Sequence, residues 1–264
     1  MKHEKTLGYL SMSLIAIAFI ASFAGLLFIS NSEKVLTDRI RLSEEEARPA
    51  NLEIIKLVSS ECKDCFDIEL FVTGLKDLNV KITNEKIVDI NSLESLALIN
   101  KYNIDKAPAL IISGETSKSN IKNELESAGT RVSDVILITA PVPVYINLAD
   151  KEIVGRVAMI NIFDRTCTEC YNISISRQIL QNGFGIVLVN ETTYDINSVE
   201  GRMILDKYNV TAVPTFLISP QADAYENLNQ VWGQVGTIEK DGWYVFRNIG
   251  ILNVPYKNIT TTTI

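Results

Sequence analysis

The chain has 264 residues, 47% of them apolar and 22% charged, with a net charge of −7. That length accommodates two domains of ordinary size, and that apolar content suits packed globular units rather than disorder. The acidic balance excludes the basic face that nucleic acid demands, so nucleic acid is not among the expected partners.

Leu7 to Ile29 is almost wholly apolar and carries no charge. As a helix rising ~1.5 Å per residue it matches the hydrocarbon thickness of a bilayer. Ser22 and Ala24 offer the small residues of a signal-peptide cleavage site. The apolar run continues past them through Leu26, Leu27, Phe28 and Ile29, which favours an uncleaved anchor over residues 1–30, in contact with membrane lipid through residues 7–29. Lys2 and Lys5 precede the run and Lys34, Arg39 and Arg41 follow it, so flanking charge leaves the orientation open. The N-terminal tail is too short to be a domain. Glycosylation acceptor patterns begin at Asn172, Asn190, Asn209 and Asn258. Both observations favour a single-pass protein with its soluble part outside the cytoplasm. Residues 31–50 are charged and read as a solvated stalk; Leu36 and Ile40 make a sparse helical stripe, and Pro49 ends any helix there.

Two units follow, spanning 51–150 and 151–264. In the first, Leu52 to Ser59 reads as a buried strand, Cys62 to Leu75 as a helix, Lys86 to Ile90 as a strand, and Ala109 to Ile112 as a third strand. Asn91 is expected to cap the intervening helix, with Glu94 as its reciprocal partner. Ser119 to Ala128 reads as a helix and Val135 to Thr139 as a further strand. In the second unit, Arg156 to Phe163, Gly185 to Asn190 and Thr215 to Ile218 read as strands. Cys170 to Leu180, Ser198 to Tyr208 and Ala224 to Trp232 read as helices, with Asn197 and Glu200 repeating the cap. Gly236 to Asn248 reads as a hairpin turning at Asp241-Gly242. Alternating strands and helices predict an α/β layer architecture.

The two units are copies of one pattern. Each has a Cys-x-x-Cys, an Asp-Ile-Asn-Ser segment, a Lys-Tyr-Asn and a proline opening an apolar run. Cys62 to Cys167 and Cys65 to Cys170 are each 105 residues apart; Asp89 to Asp195, Tyr102 to Tyr208 and Pro108 to Pro214 are each 106. Such periodicity marks a duplicated fold. All four cysteines of the chain lie in the two motifs, so any chemistry is thiol chemistry. At a helix start, unpaired amides and the helix dipole stabilise the thiolate of the first cysteine, and the second lies one turn away, near enough to close a disulfide.

Strand, CxxC, helix, strand, helix and a proline opening a strand resemble the thioredoxin fold. Val213-Pro214-Thr215-Phe216 is similar to that family's cis-proline loop, and Ala107-Pro108-Ala109-Leu110 less so. The tandem arrangement resembles protein disulfide oxidoreductases and protein disulfide isomerase. The resemblance implies two thioredoxin-like domains acting on protein thiols and disulfides, which the apolar run at 7–29 places behind a single transmembrane helix, where a membrane redox partner is expected. It implies Cys62 and Cys167 as nucleophiles, Cys65 and Cys170 as resolving thiols, and Pro108 and Pro214 as walls of the substrate groove. No cofactor is implied, because the redox-active disulfides carry the electrons. The chain departs from the family in its intervening pairs, Lys63-Asp64 and Thr168-Glu169, and in placing Lys56 and Asn161 where the family buries an acid. Asp64 and Glu169 oppose a thiolate while Lys63 and Arg165 favour it. With His3 as the only histidine, each centre is expected in the reducing or isomerising range. The alternatives are a redox-inactive adaptor or chaperone with inert disulfides, and a cysteine-based metal site. Tyr102, Tyr208, Trp232 and Trp243 read as packing residues.

Overall fold

The computed structural model describes residues 35–259. The expected membrane helix at 7–29 lies outside the described residues. Among the described residues, no helix is long and apolar enough to cross a membrane. Residues 35–47 form a helix, α1, exposed along its whole length. Arg48 ties its end to the first unit, Nη1 donating to Glu115 Oε2 at 2.7 Å.

The first unit is built on β1 (Ala50–Val58). It pairs in parallel with β2 (Val80–Asp89) and antiparallel with β4 (Ala109–Gly114). Beyond β4 lie β6 (Val135–Thr139) and β5 (Thr130–Val132), giving the order β2-β1-β4-β6-β5. Ala50, Leu52 and Ile54 pack on one face against Val72 and Leu75 of α2 (Glu69–Lys76) and Leu125 of α4 (Lys122–Ala128). Leu57 packs on the other face with Tyr102 of α3 (Leu93–Tyr102). A strand covered on both faces needs a near-continuous apolar run, which is why β1 is legible in the sequence.

The second unit repeats the layout. β9 (Arg156–Phe163) pairs in parallel with β10 (Val187–Asp195) and antiparallel with β12 (Thr215–Ile218). β14 (Tyr244–Phe246) and β13 (Gly236–Ile238) complete the order β10-β9-β12-β14-β13. One face is covered by α5 (Ser174–Gln178), which runs on into a π turn over Ile179–Gly183, and by α7 (Glu226–Val235). The other is covered by α6 (Val199–Tyr208). Phe216 stacks on Phe246 with ring centroids 4.9 Å apart, and Trp232 meets Tyr244 edge-on at 5.3 Å. Trp232 is therefore a core residue.

Two short sheets remain. β3 (Lys106–Ala107), β7 (Tyr145–Asn147) and β8 (Ile153–Val154) form one in the order β3-β7-β8, whose pairing runs across residue 150. β11 (Ala212–Val213) and β15 (Lys257–Asn258) form the other. The whole is a mixed α/β fold with several sheets.

Three expectations are corrected. The helices after the cysteines begin at Glu69 and Ser174, not at Cys62 and Cys170. Asp67 Oδ1 accepts the Glu69 amide and Asn172 Oδ1 accepts the Ser174 amide, each at 3.0 Å, so these side chains mark the true starts. The caps of α3 and α6 are Ser92 and Ser198, not Asn91 and Asn197; Ser92 accepts the Ser95 amide and Ser198 the Gly201 amide. The parallel edge strands are also longer than their apolar runs. The register shifts between Leu52 and Glu53 in the first unit and between Leu188 and Asn190 in the second, so one added residue reverses the inside–outside alternation midway.

The duplication also extends past the segments that repeat visibly. Gly129 and Gly236 follow α4 and α7, and a Cβ there would lie 2.6 Å from Leu137 O and 2.3 Å from Val245 O respectively. A methyl group at either position must push two backbones apart. Gly129→Ala and Gly236→Ala should each destabilise by about 1–3 kcal/mol in urea unfolding. Gly233→Ala, inside α7 with nothing within 4 Å of its Cβ, should instead stabilise by up to about 1 kcal/mol. Equal responses at the three sites would show that close approach is not what requires glycine.

Candidate active site

Each disulfide sits on the loop leaving the central strand of its unit. Cys62 is bonded to Cys65 and Cys167 to Cys170, so each pair closes within its own copy. The loops are held from behind by one carboxylate each. Asp89 Oδ1 accepts the Asn91 amide at 2.8 Å and Oδ2 the Ser60 amide at 3.1 Å. Asp195 Oδ2 accepts the Arg165 amide and Oδ1 the Asn197 amide, both at 2.8 Å. These backbone donors hold both carboxyls below the usual carboxylate range. The Asp-Ile-Asn-Ser repeat is thus a clamp and a cap: its Asp joins the cysteine loop to the next turn, and its Ser starts the helix.

Lys-Tyr-Asn closes the same helices. Asn103 and Asn209 take left-handed φ values of 51° and 47°, a conformation asparagine tolerates at a helix end. Tyr102 and Tyr208 are buried, each with a lysine over its ring.

Pro108 and Pro214 each follow a cis peptide bond and directly precede β4 and β12. In the second unit the proline and both sulfurs share one open cavity of about 330 Å³, lined also by Arg165, Tyr171 and Thr193. Cys170 Sγ lies 3.9 Å from Val213 O. Cys167 and Cys170 are partly exposed. In the first unit Cys62 is 7% exposed and packs with Ala107, Val144 and Ile146. The expected nucleophile of that unit is therefore the more buried of its two cysteines.

Each unit ends in a strap across its site. β7 pairs with β3, the residues leading into Pro108, and Phe66 donates its amide to Val144 O at 2.7 Å. β15 pairs with β11, the residues leading into Pro214, and Tyr171 donates its amide to Pro255 O at 3.0 Å. The straps carry no CxxC-like signature, and no sequence pattern marks them as part of the site.

The charges differ from expectation. Helices that begin at Glu69 and Ser174 leave the first cysteines well outside the first turn, so the helix dipole does not act on Cys62 or Cys167. Arg165 sits 3.5 Å from Asp195 rather than countering Glu169, which is exposed. Asp64 is paired with Arg156 of the second unit, Nε lying 2.8 Å from Oδ2, and the guanidinium holds the carboxyl below its usual range. Lys56 is buried, with Nζ 2.7 Å from Glu69 Oε2 and 2.6 Å from Glu85 Oε1. Burial opposes its charge, but the two carboxylates outweigh burial and keep the ammonium protonated above its ordinary range. It cannot accept a proton from a resolving thiol. Asn161 donates to Glu191 Oε1 at 2.6 Å in the second unit. All four cysteines are occupied in disulfides, and among the described residues no cluster of three or more His, Cys, Asp or Glu is arranged to hold a metal.

No family model and no curated protein matches the sequence. Solved structures similar to the chain include a mutant of the alkylhydroperoxide reductase component AhpF from Enterococcus faecalis, 13% identical, covering 69% of this chain and 88% of that one with a TM-score of 0.21. ERdj5 is 7% identical over 87% of this chain, which spans 30% of ERdj5, with a TM-score of 0.20. A protein disulfide oxidoreductase from Aeropyrum pernix is 14% identical, covering 66% of this chain and 78% of that one, with a TM-score of 0.18. Likenesses of this size say nothing about shared activity.

The second strap is fastened by an ion pair. Asp164, almost fully buried, accepts from Lys257 Nζ on β15 at 2.5 Å and from the Thr166 hydroxyl at 2.7 Å. Lys257 first, then Thr166, hold its carboxyl down to about 2 from an ordinary 3.8. A depressed folded pKa adds stability above the unfolded value and loses it as pH falls toward the folded one. Asp164→Asn should therefore lower the unfolding midpoint at pH 7, and the gap to the parent chain should narrow as pH falls from about 4 to about 2. Thermal unfolding across that window checks it; a gap that stays constant would place the contribution elsewhere.

Proposed function

We propose that the chain is a thiol–disulfide oxidoreductase built from two tandem thioredoxin-like units, and that its second unit carries most of the turnover. The observation that carries this reading is the open cavity where Cys167, Cys170 and Pro214 meet. A disulfide that a protein substrate can reach, beside a proline wall and an extended segment, has what exchange chemistry needs. In the reducing direction the Cys167 thiolate attacks a substrate disulfide. One substrate sulfur leaves as a thiolate, which takes up a proton, and a mixed disulfide joins the other to Cys167. Cys170, as its thiolate, then attacks Cys167 Sγ, the substrate departs as a dithiol, and the Cys167–Cys170 bond closes. An external dithiol or membrane redox partner must return two electrons to reopen it. No cofactor enters these steps.

Electrostatics favour the reducing or isomerising range. A strong oxidant stabilises its reduced form through a much-depressed thiolate pKa. In the second unit the helix begins four residues past Cys170, Arg165 is engaged by Asp195, and Glu169 lies between the two cysteines in the chain. The membrane-anchored, extracytoplasmic placement belongs to the same proposal and rests on the apolar run at 7–29 and on the acceptor asparagines.

A second role fits the first unit. Cys62 is buried under the strap at Val144 and Ile146, which suits a scaffold or substrate-binding arm with a closed disulfide. The test is a pair of variants, Cys62→Ser with Cys65→Ser and Cys167→Ser with Cys170→Ser, assayed in insulin reduction. The second pair should lose turnover by at least about tenfold and the first by less than about threefold, a difference in barrier of roughly 0.7 kcal/mol or more. The reverse ranking overturns the assignment, and an inactive parent chain overturns the oxidoreductase reading in favour of the adaptor.

A further inference from the structure

We propose that Arg156, on the second unit, sets the redox poise of the first unit's disulfide by neutralising Asp64. The two units meet at this point. Asp64 lies between the two bonded cysteines, and its Oδ1 is 3.9 Å from Cys62 Sγ. The same oxygen accepts from Arg156 Nε at 3.1 Å, while Oδ2 accepts at 2.8 Å. Arg156 Nη2 contacts Oδ1 as well, making the pair two-pronged. Both side chains are largely covered, at 34% and 27% exposure, so solvent screens the pair less than it would an open surface pair.

The backbone that carries Arg156 is held by its own unit, and the guanidinium is held by Asp64. Gly155, next to Arg156 in the chain, donates its amide to Gln221 Oε1 at 2.7 Å and accepts from Tyr225 Oη at 2.8 Å. Gly155 takes a φ of +94°, and a Cβ there would lie 2.3 Å from Pro143 Cβ. Val187 of the second unit packs against the apolar cluster that contains Cys62. Arg156 therefore reaches from a held backbone across the junction to Asp64. In the second unit the residue matching Asp64 is Glu169, which is exposed.

The consequence follows from charge. Reduction by glutathione breaks the Cys62–Cys65 bond and gives the pair two electrons; two glutathione thiols become one glutathione disulfide, and their protons pass to the cysteine sulfurs or to solvent. Wherever Cys62 remains a thiolate, a bare Asp64 carboxylate disfavours the reduced state and a bare Arg156 favours it. With both present the charges cancel at the sulfur. Arg156 is a positioning residue here: its charge offsets that of Asp64 at the sulfur.

This deepens the oxidoreductase reading and rests on it for its use in turnover, but equilibrium potentials need no substrate protein. The full chain is equilibrated in glutathione buffers, quenched in acid, alkylated, and each cysteine pair quantified by peptide mass. Arg156→Gln should make Cys62–Cys65 harder to reduce by about tenfold, or about 30 mV for two electrons. Asp64→Asn should shift it the opposite way, Arg156→Lys should hold it near the parent value, and the double variant Arg156→Gln with Asp64→Asn should return to it. Cys167–Cys170 should move less than about twofold throughout. Equal shifts at both centres, a double variant that keeps the Arg156→Gln shift, or no shift at Cys62–Cys65 would overturn the proposal. If Arg156→Gln does not fold, the opposite-sign shift of Asp64→Asn still decides. Shifted potentials in a chain without turnover would sink the oxidoreductase reading and leave this one standing.

Discussion

The cysteine loops depend on one interaction made twice: a carboxylate that accepts two backbone amides from opposite sides of the loop. Asp89 and Asp195 end the parallel edge strands, in register with Val58 and Phe163 at the ends of the central strands. An irregular loop carries amides that no ladder satisfies, and leaving them unpaired costs about 1–3 kcal/mol each when buried. One carboxylate meets that need at Ser60 and Asn91, and its copy does so at Arg165 and Asn197. The disulfide then hangs from an anchored strand end, and the next helix starts three or four residues beyond the carboxylate, under Ser92 or Ser198.

This clamp changes how the sulfurs are tuned. A cysteine in the first turn of a helix borrows positive potential from unpaired amides. Here Asp67 and Asn172 start the helices later, so that potential falls past the cysteines. What remains is the charge of individual side chains. Those differ between the copies: a paired Asp64 in one, an exposed Glu169 in the other. One fold thus presents two electrostatic settings for the same pair of sulfurs.

Much of this was legible in the sequence. The repeat spacing showed two copies, and the buried runs at Leu52 to Ser59 and Arg156 to Phe163 located the central strands, because a strand buried on both faces leaves little room for polar residues. The cysteine pairing and the prolines before β4 and β12 followed from the same spacing. The edge strands were seen only in part, since a bulge shifts their alternation and one face is wet. The helix starts were misplaced because Asp67 and Asn172 are common residues whose side-chain bonds exist only in three dimensions. Arg156, the straps and the Asp164–Lys257 pair were not legible at all: each joins segments about 40 to more than 90 residues apart, and no local pattern records such a meeting.

The straps explain why one fold yields two unequal sites. Each covers an edge that would otherwise present unpaired backbone groups beside the proline, a liability for any short exposed strand. The first strap is also the connection to the second unit, so its residues cannot leave without moving the junction. Val144 and Ile146 are buried with Cys62, and Pro143 is wedged against Gly155. The second strap does not join the two units. Its strand is two residues long, both exposed, and it is fastened by an ion pair, a two-residue ladder and the flanking bonds from the Tyr171 amide to Pro255 O and from the Ile259 amide to Thr211 O. The accessible disulfide therefore lies under a short exposed strap, and the buried one under the strap that also joins the two units.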